Sequence, residues 1–500
     1  MCSRVYETNP RTKNTTFAVQ QSFDMSNAIH IIKTEQKALE INLNNMIYGT
    51  FAEIGAGQEV ARNFFQVGAA AGTIAKTMSA YDKDFSDAIY GEEPSNRYVC
   101  ESRLYKMLDH EFGLLEQRLE DKCELSTFFA FADTVAAINY SRTIKGNGWL
   151  GVRFQHRPCG PANDLVLHVK MHDNDNKLQQ DAIGILGVNM IYACYYKRDN
   201  PEEFVKSLID GLDGRLSIDF IRIAGPGFEG VENRLLNLYL VKHDITDIAI
   251  IDSSKNSVHA SEFLYKKDVM VVRGNFRPPT LVTDNVLEAS FEQFKQEEKV
   301  KPEKSIMMTE LTMDYLRYDT GEIEDQDFLD RTELLCGLGH NVIISNCNNH
   351  QGLINYLGDY KVKNLGLVLG VRELLDIIND KYENNMDGRL LVAFGELFTK
   401  TIKVYAYPAL NEDTDELITA RTLNVPEGIK FLYKHLLDSH QIVEVEGYDK
   451  SLLHIWPYQV YQDIINEVPG WEDSVPARLV PIIKEKDVFA SQRKQATATS

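Results

Sequence analysis

The chain has 500 residues, 44% hydrophobic and 25% charged, with a formal net charge of −20. That length exceeds one ordinary hydrophobic core and implies about two to four domains, and the apolar content excludes wholesale disorder. The acidic balance excludes general nucleic-acid binding, which needs a basic surface against the phosphate backbone.

Residues 1–35 read as a polar, flexible arm, and the opening MCSRVYETNPRTKNTTFAVQ contains no apolar signal core. Residues 36–147 read as a helix-rich segment. Within it, ESRLYKMLDHEFGLLEQRLEDK (101–122) places Leu104, Leu108, Leu115 and Leu119 at helical spacing. GAAAGTIAK (68–76) has the density of small residues that lets two helices approach, and TFFAFADTVAAINYS (127–141) is apolar nearly all round, which predicts a buried helix carrying Asp133.

From 148 to 295 strands alternate with helices: DLVLHVKMHD, RLSIDFIRIAG, DIAIID and DVMVVRGNF read as strands, and KLQQDAIGILGVNMIYACYY, PEEFVKSLIDGL and ENRLLNLYLVKH as helices. After the charged break QEEKVKPEKS the rhythm resumes over 303–408, with strands SIMMTELTM, HNVIISN, NLGLVLG and TIKVYAYP. GIKFLYKHLLDSHQIVEVEGYD lies in a small mixed segment over 409–490, and 491–500 is a polar tail. The expected fold class is therefore α/β and multi-domain. It comprises two Rossmann-like, doubly wound α/β units, a helical N-terminal segment and a small mixed C-terminal segment.

No stretch approaches the roughly 18 apolar residues of a membrane span, so no membrane partner is expected. The seven cysteines, at positions 2, 100, 123, 159, 194, 336 and 347, contain no CxxC pair. Zinc-ligand spacing is absent, a disulfide framework is not expected, and a reduced cytoplasmic setting fits.

The stretch YGTFAEIGAGQEVA (48–61) reads as a strand, a tight turn and a helix start. Gly55 and Gly57 permit close backbone approach, and amides at a helix start attract anions. The third glycine of a dinucleotide fingerprint is missing, because Ala61 and Arg62 follow. The bland reading, a helix start packed tightly against a neighbour, is favoured. Gly49, Thr50 and Phe51 resemble the Gly-Ser/Thr-Phe start of nucleotidylyltransferases of the nicotinamide-mononucleotide type. The two histidines of that family fall on Gly55 and Gln58, so the resemblance implies a nucleotide site without its phosphate-stabilising imidazoles. More broadly, IYGTFAEIGAGQEVAR, FSDAIYG, RYVCESRL, FFAFADTVAA and LYKK make the chain similar to a group of bacterial proteins. These carry the conflicting names nicotinamide-nucleotide adenylyltransferase and TonB-dependent receptor. The second does not fit a chain without an outer-membrane strand pattern.

DFLDRTELLCGLGHNVIISN (327–346) is similar to the stretch before the second motif of haloacid-dehalogenase-type phosphotransferases, where Ser345 would bind a transferred phosphoryl group. The Asp-x-Asp of that family is replaced by Glu310 and Thr312, which disfavours an aspartyl-phosphate mechanism. In VRGNFRPPT, Arg273 and Arg277 follow a strand and could clamp a phosphate or carboxylate, although surface pairing with acidic neighbours is the commoner use. In HVKMHDNDN, His168 and His172 share a strand face and could begin a metal site, while the run around Asp173 and Asp175 lacks the glycine and distal glutamate of a calcium loop, so a polar turn is favoured. His156 and Cys159 lie in FQHRPCGP, a turn first and a nucleophilic pair only with a third group.

The preferred reading is a cytoplasmic nucleotide- or phosphate-metabolite-binding protein, a nucleotidyl- or phosphoryl-transferase relative with eroded catalytic motifs. Its ligand-binding residues would be Gly49, Thr50, Gly55, Gly57, Gln58, Arg273, Arg277 and Ser345, with a nucleotide as the implied cofactor and no catalytic residue or metal assigned. The alternative is a non-catalytic scaffold built from enzyme-like units, self-assembling as a homo-oligomer or binding a partner. A nucleic-acid factor with a C-terminal winged element would have only Lys430, Lys434 and His435 for its basic face.

Overall fold

The computed structural model describes residues 32–94, 96–317, 321–347, 349–383, 390–395, 398, 402–411, 414–490 and 492–493. The arm expected over 1–35 and the tail over 491–500 lie almost wholly outside the described residues. Two large sheets organise the rest, and the α/β, multi-domain class is what the structure has.

The first sheet contains β1 (Ile47–Gly55), β2 (Ile74–Ala80), β3 (Thr127–Ala136), β4 (Asn147–Gln155), β5 (Ala162–Met171) and β6 (Leu216–Ala224), in the order β2-β1-β3-β4-β5-β6. β2, β1 and β3 are parallel, and β3 to β6 form an antiparallel meander. Residues 127–136 are therefore a strand and not the helix their composition predicts. A central strand covered on both faces loses its alternation, and a continuous apolar run then reads equally as strand or buried helix. Phe129 and Phe131 pack on one face, and Phe128, Ala130 and Ala132 on the other. The segment read as helix-rich thus supplies three strands, and position 148 falls inside β4.

The helices Thr34–Leu43, Val60–Gln66 and Asn176–Tyr196 cover the first face, and Glu101–Arg118 covers the second. Residues 68–76 pair no helices, because they form a short 3-10 turn and the start of β2. The close helix approach occurs instead at Gly187, where a Cβ would lie 2.4 Å from Val60 Cγ2.

The second sheet contains β7 (Ile248–Ile251), β8 (Asp268–Arg273), β9 (Ser305–Thr312), β10 (Asn341–Ser345), β11 (Leu365–Gly370) and β12 (Ile402–Tyr407). A ribbon of β13 (Ala409–Leu410) and β14 (Leu417–Ile418) precedes its last strand, β15 (Ile442–Glu444). The order is β15-β12-β11-β8-β9-β10-β7, parallel except for β7. The chain winds outward from β8 through β9 to β10, then returns to β11 on the other side of β8. One face packs Met270, Val272 and Ile344 against the helices Leu281–Lys295 and Asp325–Gly337. The other packs Val271, Met308 and Ile343 against the helix His350–Asp359.

The helix Asn233–Lys242 joins the two halves. Leu236, Tyr239 and Leu240 enter the core of the first sheet, while Leu238 and Val241 enter that of the second. Cys123 and Cys159, expected to be unpaired, are joined by a disulfide with their Cα atoms 5.3 Å apart, which takes Cys159 away from any nucleophilic pair with His156.

Candidate functional site

Ligands of doubly wound sheets bind beyond the carboxyl ends of the strands, where the strand order reverses and two neighbouring loops diverge. Here that point lies between β8 and β11. Arg273 ends β8 and sits opposite Glu310 of β9, and Ser345 ends β10 opposite Thr312. The Arg273 guanidinium donates to Glu310 through Nε (2.8 Å) and Nη2 (3.0 Å), and the Ser345 hydroxyl donates to Glu310 Oε1 at 2.6 Å. Three successive strand ends are thus tied to one fully buried carboxylate.

Two cavities adjoin this tie. One, of about 460 Å³, is polar and includes Thr312, Asp314, His350, Asp376, Asp380 and Lys381 in its lining. The other, of about 420 Å³, is lined largely by Phe276, Val286, Val368, Tyr407, Tyr458 and Tyr461. Arg273 and Glu373 belong to both and form their common wall.

Glu373 lies in the first turn of the helix Val371–Glu383, which follows β11 directly. Burial pushes its carboxyl up to about 7, with Glu310 adding to the rise and Arg273 opposing it. Burial, with Arg273 and Lys381 nearby, lowers His350 to about 3, so its imidazole is neutral. His350 Nε2 is buried and has no hydrogen-bond partner among the described residues, an arrangement that native cores seldom leave without a ligand or water. The Cys347 thiol, in the same wall, is pushed up to about 12 by burial and is not a nucleophile at neutral pH.

The structure brings Arg273 and Ser345 together through Glu310, a pairing that the sequence did not suggest. Ser345 is buried and its hydroxyl is spent on Glu310, so it does not face a phosphoryl group. Arg277 does not join Arg273 in a clamp. Its guanidinium lies 2.9 Å from Asp327 and stacks 4.5 Å from the centroid of the Tyr461 ring. Glu373 and His350 were not singled out from the sequence. A glutamate at the start of an ordinary amphipathic helix carries no local signal, and only the crossover places it opposite Arg273.

The opening turn is built differently from a phosphate loop. The Val60 amide, at the helix start, donates to Glu53 Oε1 at 2.8 Å, so the chain's own carboxylate occupies the position an anion would take. Gly57 lies against Asp133, and a Cβ there would be 2.2 Å from Oδ1. Gly49 is pressed under the Phe129 ring, and Thr50 donates to the Lys76 carbonyl at 3.1 Å. Gly55 takes the left-handed conformation, with φ +81°, against the Val135 carbonyl, and Gln58 is half-buried, its Nε2 without a partner among the described residues. The expected anion site is thus filled from within. The favoured reading, a helix start packed tightly against a neighbour, describes this corner: Gly55 and Gly57 press on β3, and Glu59 and Val60 press on Gly184 and Gly187 of the helix Asn176–Tyr196.

His168 does not pair with His172. It donates or accepts through Nδ1 at 2.5 Å from Asp219 Oδ1, while His172 lines a cleft together with Lys170.

No protein-family description and no curated protein matches this chain. Among solved structures it is similar to competence/damage-inducible protein CihA from Agrobacterium tumefaciens, at 16% identity over 32% of this chain and 94% of that one, with a TM-score of 0.24. It is also similar to a competence-damaged protein (CinA) superfamily protein from Enterobacter cloacae, at 13% identity over 40% and 99% of the two chains, with a TM-score of 0.24. A CinA superfamily protein from Klebsiella pneumoniae matches at 12% identity over 32% and 96%, with a TM-score of 0.25. These scores carry no functional inference. Among the described residues, no helix is long and apolar enough to cross a membrane.

Proposed function

We propose that this chain binds a nucleoside-type metabolite at the β8/β11 switch point. The observation that carries the reading is the pair of adjoining cavities, apolar and aromatic on one side and polar on the other, sharing Arg273 and Glu373. A flat ring fits among Phe276, Tyr407 and Tyr458, where aromatic contacts contribute beyond the area they bury. A hydroxyl-bearing part then extends past Glu373, an acceptor when ionised, toward the unpartnered Nε2 of His350.

The polar cavity holds Asp314, Glu373, Asp376 and Asp380 against Lys381 and an Arg273 already neutralised by Glu310. That balance favours hydroxyl or cationic groups over a bare phosphate. The broader expectation of a nucleotide or phosphorylated metabolite is thereby narrowed to ligands whose recognised part is the nucleoside. Glu373, with its carboxyl near 7, is the group best suited to move a proton on such a ligand.

The test is a thermal-shift and calorimetric comparison of adenosine, uridine and their 5′-monophosphates. Nucleosides are expected to raise Tm by a few degrees near saturation, more than the monophosphates do. Glu373→Gln and Tyr407→Ala should each remove most of that shift. No shift with any of the four, or a shift that survives both substitutions, would refute the site.

A further inference from the structure

Outside the cleft, one buried cluster has the composition of a metal centre. His168 of β5, Asp219 of β6 and His259, just before the helix Ala260–Phe263, are each 5% exposed. One ligand atom from each lies within 4.8 Å of the others. Asp219 turns Oδ1 toward His168 Nδ1 at 2.5 Å and Oδ2 toward His259 Nε2 at 3.4 Å. The rings of His168 and His259 are 3.9 Å apart and sit against Trp149, which fixes both orientations.

We propose that this cluster is a binding site for one divalent transition-metal ion of the zinc class, seated where the two sheets meet. Two imidazole nitrogens and a carboxylate are a zinc-type donor set with a fourth position open to water. Tetrahedral bonds to zinc place ligand atoms roughly 3.3 Å apart, so His168 and Asp219 need only separate slightly to admit the ion.

Two independent features support a ligand over a purely structural contact. The first is the outer shell: His259 Nδ1 lies 2.7 Å from Ser261 Oγ, so it can donate there while Nε2 is left for the metal. The Tyr360 hydroxyl, 3.3 Å from Asp219 Oδ2, orients the carboxylate in the same way. The second is access. Lys170, which contacts Asp219, lines with Tyr356 a cleft of about 630 Å³ whose exposed Asp213, Asp244, Asp247 and Asp359 outnumber its Lys145 and Lys170, a net acidic approach for a cation.

Lys170 is the opposing charge. Its ammonium is 3.6 Å from Asp219 Oδ2 and stands in for the ion, resting over the rings of Tyr356 and Tyr360. Its partial exposure lets it withdraw into the cleft when the metal enters.

The test uses the full chain, stripped with chelator and titrated with Zn²⁺ and Co²⁺ alone. About one equivalent of zinc is expected per chain, and Co²⁺ should give the visible d–d bands of a tetrahedral N/O site. Asp219→Asn and His259→Ala should lose binding by roughly a hundredfold, while Lys170→Met tightens it by roughly tenfold. So that a loss of folding in the buried variants does not decide the outcome, the unmodified chain and Lys170→Met decide independently. A parent chain that takes up no zinc, or Lys170→Met binding no better than the parent, would overturn the assignment, as would a folded Asp219→Asn that retains the cobalt spectrum.

Discussion

Glu53 and Asp133 face each other at one register position of β1 and β3, and burial holds both above the ordinary carboxylate range. Glu53 rises from 4.5 to about 7, so between these values the native protein keeps a proton that the unfolded chain has released. Stability from this pair is fully present below the unfolded value and is lost as pH rises through the folded one. Melting temperature is therefore expected to fall between about pH 5 and pH 8, and Glu53→Gln to flatten that fall. A Glu53→Gln profile parallel to the parent's would exclude the pair as its cause. Beside them, Gly57→Ala forces a methyl group onto the Asp133 carboxylate and should cost about 1–3 kcal/mol by urea titration. Glu373 gives a third expectation at this scale. Ionised above about 7, it accepts a ligand hydroxyl more strongly, so nucleoside affinity should rise from about pH 6 to pH 8 in the parent and stay level in Glu373→Gln.

Among the elements, the ends of β8, β9 and β10 are held by the Arg273–Glu310–Ser345 tie. Removing one partner of a buried ion pair strands the other charge, a loss of about 3–5 kcal/mol. Arg273→Met alone should cost that much, whereas Arg273→Met with Glu310→Gln should recover a substantial part. A double variant less stable than the single one would show that the tie is not the source of the loss. The strands carrying these residues were legible because DVMVVRGNF, SIMMTELTM and HNVIISN hold short apolar runs bounded by polar breaks. β3 was not legible as a strand, because with both faces covered its composition matches that of a buried helix.

At the scale of the whole molecule, the helix Asn233–Lys242 commits different faces to two cores. Neither sheet can release it without exposing the other, so calorimetry should show one main unfolding transition. Leu238→Ala should lower it as a unit, with a loss of about 2–5 kcal/mol, and two well-separated transitions in the parent would contradict this coupling. Apolar periodicity and turn residues determined, from the sequence alone, that the chain is an α/β protein with most of its helices and strands in the places described. They also drew attention to Arg273 and Ser345 at strand ends and to His168 within a strand, because charged or polar groups in or beside an apolar run are visible locally. Only the tertiary structure decided what those groups do. Whether a helix start holds an outside anion or Glu53, and whether His168 meets His172 or His259, depends on which strand lies beside which. That order is set by long-range burial, which no local pattern encodes.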